Sequence, residues 1–313
     1  MRLPRPPGPA PADAPAAVAS PPRPTPRDWA LLVALGLIWG ASFMAVTVAT
    51  AGFGPLSIAA GRIGLGALVL IGVLPLTGAR LPPAPALKYA AGLGFFSMAL
   101  PFFLLSWSQT RLPSGFVGVS MAMSPLLTLV LAHFLIAGER ATARKVLGIL
   151  IGFAGVVLLI GGDAFAARGT EGEALARLAA AGAAASYAVG AIITRRAPPV
   201  DPIGFAAVAT LIAACLIVPP ALLVEGLPAR LPASAPLVAL VFLGLVPTAL
   251  ANLMLVSIIR SAGPSFVALV NYQVPLWSVL FGWAFLGELL PPRVFAALAL
   301  ILAGVAISQW RRR

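Results

Sequence analysis

Charge is what this chain has least of. Only 10% of its 313 residues are Asp, Glu, Lys or Arg, where a water-soluble domain carries about a quarter. Acidic residues number nine, and none lies near the middle of an apolar run. That leaves a carboxylate-based proton relay or a paired-carboxylate active site inside the apolar runs without its groups. One cysteine, Cys215, excludes a disulfide framework. One histidine, His133, beside that one cysteine leaves neither a structural zinc site nor a thiol-based active site. We therefore expect no metal, no cofactor and no enzymatic activity. The formal net charge of +12 looks like a nucleic-acid signal, but the cations sit between apolar runs, as a membrane orientation code requires. No nucleic-acid partner is expected.

What is abundant is apolar. Hydrophobic residues make up 60% of the chain and the mean hydropathy is +1.01. Ten runs stand out, at about 29–49, 56–77, 86–108, 114–137, 144–162, 174–194, 203–224, 234–258, 264–286 and 293–310. Each is roughly the 17–25 residues an α-helix needs to cross a hydrocarbon core. None alternates polar with apolar as a barrel strand would. The first 28 residues are rich in Pro and Ala and contain no apolar run, a composition expected to stay a flexible tail.

The chain also repeats itself. From Met123-Ser124-Pro125 an apolar span leads to Gly138-Glu139-Arg140 and then to a glycine-rich span through Gly148, Gly152 and Gly155. From Gln273-Val274-Pro275 a second apolar span leads to Gly287-Glu288, Pro291-Pro292-Arg293 and a span through Gly304. The copies place five spans in residues 29–162 and five in 174–310, with a polar linker at 163–173. Five is odd, so the second copy must enter the bilayer from the opposite side. The cations agree. Fifteen Lys and Arg fall in alternate segments that include both chain ends, five fall in the others, and Arg62 lies inside a span. The expectation is an all-α integral membrane protein of ten transmembrane helices in two inverted five-helix repeats, both termini cytoplasmic. Inverted repeats suit alternating access around a midplane site.

These residues resemble the drug/metabolite transporter superfamily, in particular its ten-helix EamA-type branch. The likeness rests on Ser124-Pro125-Leu126 through Gly138-Glu139-Arg140 to Gly155-Val156, and on its echo from Pro275 to Glu288 and Ala303-Gly304-Val305. Trp39-Gly40-Ala41-Ser42-Phe43 resembles a first-helix signature, and Arg62-Ile63 that of a second helix. The likeness covers nearly all of residues 29–310. It implies an exporter of small metabolites, amino acids or drugs in the plasma or inner membrane, with import or bidirectional facilitation as the alternative. In the second half Leu289 stands after the Glu, and Ser186-Tyr187-Ala188-Val189-Gly190 replaces the first-helix signature.

Polar residues within spans mark the candidate site. Asn271, Tyr272 and Gln273 are the most polar patch in any span, just before Pro275, which frees a backbone carbonyl. They read as cavity-lining groups, or as interhelical hydrogen bonds. The matching first-half places hold Met121, Ala122 and Met123, followed by Ser124, with thioethers that suit an adaptable apolar wall. Trp39, Trp107, Tyr187, Asn252 and Trp277 are further lining candidates. Trp107, near a helix end, also fits an interfacial belt. Arg62 reads as a contact for a substrate carboxylate or gate, or as a side chain snorkelling to the interface. His133 reads as a proton relay or an interfacial hydrogen bond. Glu139 and Glu288, at span ends, are expected to be caps or loop ion pairs. Pro101 and Pro247 are expected to kink the third helix of each half. The expected partners are a small-molecule substrate and the bilayer. Coupling to a proton or ion stays open, and nothing in the chain demands an oligomer.

Overall fold

A computed structural model describes residues 24–136, 142–160, 172–228 and 232–309. Glu139, most of the 163–173 linker and most of the N-terminal tail lie outside the described residues. Ten helical stretches follow one another: α1 (Pro26–Thr50), α2 (Pro55–Thr77), α3 (Ala84–Ser108), α4 (Ser114–Leu135), α5 (Ala143–Ile160), α6 (Glu173–Arg196), α7 (Pro202–Val224), α8 (Ser234–Ala262), α9 (Pro264–Val267 followed by Val270–Leu286) and α10 (Pro292–Gln309). No strand occurs among the described residues. Eight of the ten are long and apolar enough to cross a bilayer unaided. The apolar part of α10, Pro292–Ser308, is shorter, and α9 is interrupted after Val267.

Local chemistry sets the helix ends. Pro26, Pro55, Pro202, Pro264 and Pro292 each occupy the first helical position, where a missing N–H costs nothing. Thr25 and Asp28 form a reciprocal capping box on α1, and Asp201 accepts from the N–H groups of Ile203 and Gly204 at the start of α7. Gly78 and Gly287 end α2 and α9 in the left-handed region, at φ 63° and 67°, where a Cβ would be strained.

The packing exchanges the two halves. α5 lies along α10, α2 along α7 and α4 along α9. α1 packs on α8 and α9, and α6 packs on the matching α3 and α4. α8 leans on α2 as α3 leans on α7. Each of these pairings maps onto itself or onto another of them when the halves are swapped. With five crossings per half, that exchange is the inverted repeat.

Glycines set the closest approaches. A Cβ on Gly155 would lie 2.8 Å from the carbonyl oxygen of Ala297, and one on Gly304, at the same place in α10, would lie 2.4 Å from that of Gly148. Gly94 on α3 presses on the Ala209 carbonyl of α7. Gly244, at the same place in α8, presses on Leu65 and the Arg62 carbonyl of α2. Small residues at such crossings let backbones meet where no hydrophobic effect drives association.

Two irregularities recur at related places. α3 widens into a π-helical turn at Phe95–Ala99, just before Pro101, and α8 does so at Gly244–Leu250, around Pro247. A proline cannot donate to the ladder, and a widened turn absorbs the loss. The fourth helix of each half is also broken near its start, at Met121–Ala122 in α4 and at Ala268–Leu269 in α9. The continuous spans expected at 114–137 and 264–286 are therefore each two pieces. Discontinuous helices of this kind occur where transporters bind their solutes.

Candidate functional site

The polar interior of the bundle gathers at the π-helical turn of α8. Thr248 is buried there, and its hydroxyl donates to the Leu243 carbonyl at 2.8 Å. The side-chain amide of Asn252 donates to the Thr248 carbonyl at 2.5 Å. From α1, the indole N–H of Trp39 donates to the Pro247 carbonyl at 3.2 Å. These bonds occupy carbonyls near a proline, where the regular ladder is broken.

Arg62 reaches the same turn from α2. It is only 6% exposed, so the side chain stays inside the bundle and does not snorkel out. Its Nε donates to the Thr248 hydroxyl oxygen at 3.0 Å. The guanidinium carbon lies 3.7 Å from the centroid of the Phe102 ring on α3, a cation–π stack. Tyr187 on α6 packs against the apolar cluster that holds Phe102 and Ile63. No carboxylate among the described residues pairs with Arg62. Five helices thus send Trp39, Arg62, Phe102, Tyr187, Thr248 and Asn252 to one region.

The site breaks the symmetry of the fold. At the place of Arg62, α7 has Ala209. At the place of Asn252, α3 has Phe102. At the place of Trp39, α6 has Ser186, whose hydroxyl donates to the Phe96 carbonyl at 2.7 Å. Each half therefore sends one side chain from its first helix to the π-helical turn of the other half's third helix. The two groups are chemically unlike.

The α9 candidates lie on a different wall. Gln273 packs over Gly36 of α1, where an added Cβ would meet its Oε1 at 2.9 Å, and Trp277 packs over Gly40, where one would meet its Cβ at 2.3 Å. The Gly36-x-x-x-Gly40 spacing thus admits two side chains one turn apart on α9. Asn271 is exposed, Tyr272 and Gln273 are half-buried, and Pro275 is buried. Met123 is buried in the core beside Leu126, while Ser124 and Pro125 are half-buried in α4. Trp107 lies outside the Arg62 cluster, with the Arg111 guanidinium 4.8 Å from its ring centroid. His133 is exposed near the end of α4, its ring 5.0 Å from that of Phe134.

Glu288 ties α9 to α4. Its Oε1 and Oε2 accept from the N–H groups of Ser114 and Gly115 at 2.7 and 2.9 Å. Glu225, which the sequence reading did not single out, does the same for α2, accepting from Leu56 and Ser57 at 2.9 and 2.8 Å. Thr248 and Phe102 were also missed. The signal available for Thr248 was its place beside Pro247. A hydroxyl next to an intrahelical proline is well placed to bond a freed carbonyl. Phe102 looked like any other core aromatic.

A groove of about 500 Å³ runs between α9 and α10, walled by Leu276, Leu280, Trp283, Glu288 and Phe295. Its apolar walls are exposed side chains, the composition of a lipid-facing surface, and it contains none of the Arg62 cluster.

Ten apolar helices in two inverted halves, around an interior polar cluster, define a multi-pass membrane transporter. The comparisons name the family. The chain matches the profile of the EamA-like transporter family over residues 28–161 and 174–310, and it belongs to that family. It is 26% identical over 279 residues to the uncharacterized inner membrane transporter YedA of Escherichia coli, covering 88% of each chain. It is 26% identical over 297 residues to a protein described as a probable terminal-alkyne amino-acid exporter of Streptantibioticus cattleyicolor, covering 90% of this chain and 93% of that one. A solved crystal structure superposes with a TM-score of 0.63 at 24% identity, over 90% of this chain and 97% of the other, a likeness of fold.

Proposed function

We propose that this transporter exports small organic metabolites, amino acids or related compounds, by alternating access, with both termini cytoplasmic in the plasma or inner membrane. The observation that carries the reading is the exchange symmetry of the packing, with a π-helical turn in the third helix of each half. Two packings related by an in-plane two-fold axis would open opposite ends around one site. The widened turns are where α3 and α8 could bend. A solute between them would meet aromatic faces at Trp39 and Tyr187 and few polar groups, a surface suited to amphipathic molecules. Gln273, Trp277 and the exposed Asn271 would form the opposite wall. A relative described as a probable terminal-alkyne amino-acid exporter, at 26% identity, supports the outward direction and the solute class.

A bidirectional facilitator is the second reading. It is favoured by the placement of Glu225 and Glu288, which accept backbone N–H groups at helix starts. No Asp or Glu of the described helices lies mid-span. The experiment is metabolite profiling inside and outside cells with and without the gene, followed by flux in vesicles at set pH gradients. Accumulation inside the deletion strain supports export. Equal flux in both directions, independent of the gradient, supports the facilitator. No difference in any metabolite and no flux above empty vesicles would sink both.

A further inference from the structure

We infer that the transported solute carries a carboxylate and that Arg62 is its counter-charge. The inference rests on the transport reading above and names the solute chemistry of the same site.

Arg62 is a buried cation with no balancing carboxylate among the described residues. It is 6% exposed, and no Asp or Glu among the described residues contacts it. A cation in a low-dielectric interior is expensive, and inside a membrane such a residue marks a functional site by default. The protein supplies only neutral support. Phe102 stacks on the guanidinium plane at 3.7 Å. The Thr248 hydroxyl has committed its proton to Leu243, so it turns a lone pair to Nε.

That support fixes the plane and leaves the working edge unspent. The stack sets the tilt of the guanidinium, and the Nε bond sets its rotation. Nη1 and Nη2 have no acceptor among the described residues. A planar fork held in one orientation with both terminal nitrogens unspent suits a bidentate oxyanion. The neighbours select among oxyanions. One guanidinium balances one negative charge, and no second Lys or Arg among the described residues bonds to or stacks on the cluster. A monoanionic carboxylate is neutralised there, whereas a phosphate monoester would leave excess charge buried. The matching residue of the other half is Ala209, so each molecule offers one such fork and takes one carboxylate per cycle.

The test compares matched probes on the full-length protein in detergent. The panel is a set of aromatic and branched monocarboxylic acids, α-amino acids among them, each with its methyl ester and its decarboxylated amine, plus phenyl phosphate. The readout is the shift in unfolding temperature. At least one acid should stabilise the wild type, and its ester and amine should not. Arg62→Met should bind that acid on the order of tenfold to a hundredfold more weakly, and Arg62→Lys should fall between. Equal shifts with acid and ester, unchanged acid binding in Arg62→Met, stronger binding of phenyl phosphate than of every acid, or no acid binding at all would overturn the proposal. The acid–ester comparison needs no variant, so a misfolded Arg62→Met leaves it decisive. Flux in proteoliposomes is scored separately. Acid binding without flux keeps the carboxylate site and ends the transport reading. Flux of an ester or amine with no acid bound keeps transport and ends the carboxylate site.

Discussion

Gly148 and Gly304 approach each other reciprocally across α5 and α10. A Cβ on Gly304 would fall 2.4 Å from the Gly148 carbonyl oxygen, and one on Gly148 would fall 2.5 Å from the Gly304 carbonyl oxygen. The obstacle in each case is backbone, which cannot rotate away as a side chain can. Gly304→Ala should therefore separate the two helices and cost about 1–3 kcal/mol. Gly64, in α2, has nothing within 4 Å of its added Cβ. Gly64→Ala should be neutral or stabilising by up to about 1 kcal/mol. Thermal unfolding of the purified variants in one detergent decides the matter. Equal melting temperatures would mean the crossing is not close-packed.

Much of this fold was legible in the apolar runs and their repetition, because lipid forces each span to satisfy its own backbone. The Pro125 and Pro275 echo located the fourth helix of each half, and Pro101 and Pro247 located the irregular turns. The breaks at Met121–Ala122 and Ala268–Leu269 were not legible. They fall inside apolar stretches, and nothing in local composition distinguishes a continuous helix from one interrupted by a turn. The site was only partly legible for a related reason. Trp39, Arg62, Tyr187 and Asn252 are conspicuous where they stand. Their convergence on Thr248 depends on which helix faces meet, and Arg62 and Thr248 are 186 positions apart. Glu225 was invisible because its partners on α2 are 168 and 169 positions away.

Those two glutamates give the second prediction. Each holds the start of a neighbouring helix through two backbone N–H groups, at 2.7–2.9 Å. Removing a carboxylate cap costs about 0.5–2 kcal/mol, so Glu225→Ala and Glu288→Ala should each lower stability by that much, while Glu→Gln retains one acceptor and loses less. Flux per folded molecule should keep its response to an imposed pH gradient in both Gln variants. A response abolished by Glu288→Gln at normal abundance would make Glu288 a coupling residue and remove its structural reading.

Orientation is tested with fused reporters. The cation bias predicts that both termini and the α2–α3 connection lie on the cytoplasmic side. A reporter active only in the cytoplasm should work when fused after Arg80 and after Arg313, and should fail in the segment at Arg230. The same signal from all three positions would contradict an even number of crossings with five per half.

The wall on α9 is tested by truncating its polar groups. Gln273 rests on Gly36, and Asn271 is exposed two residues earlier. If they hydrogen-bond the solute, each should contribute about 1 kcal/mol, and Asn271→Ala with Gln273→Ala should weaken apparent affinity about tenfold or more. Membrane abundance should hold, because neither side chain is fully buried. Uptake into inverted vesicles across a solute concentration series reads the affinity. Full transport by the double variant would remove α9 from the site.

The hinges give the last prediction. Trp39 donates to Pro247 in the π-helical turn of α8, and Ser186 donates to Phe96 in that of α3. Both bonds occupy a backbone acceptor inside the membrane, and leaving such an acceptor unsatisfied costs about 1–3 kcal/mol. That cost must act on the conformation in which the bond is made. Trp39 and Ser186 hold the same place in α1 and α6, which run in opposite directions through the bilayer. Both bonds are made in the one conformation described, so both losses should destabilise that same end of the cycle. Trp39→Phe and Ser186→Ala should both slow exchange more strongly for solute presented from the face to which this conformation opens, and that face should be the same for the two variants. Vesicles of each orientation, loaded with the same solute, measure the two rates. If the two variants slow opposite sides, the two bonds do not hold one conformation together, and alternating access about these two turns is the wrong mechanism for this chain.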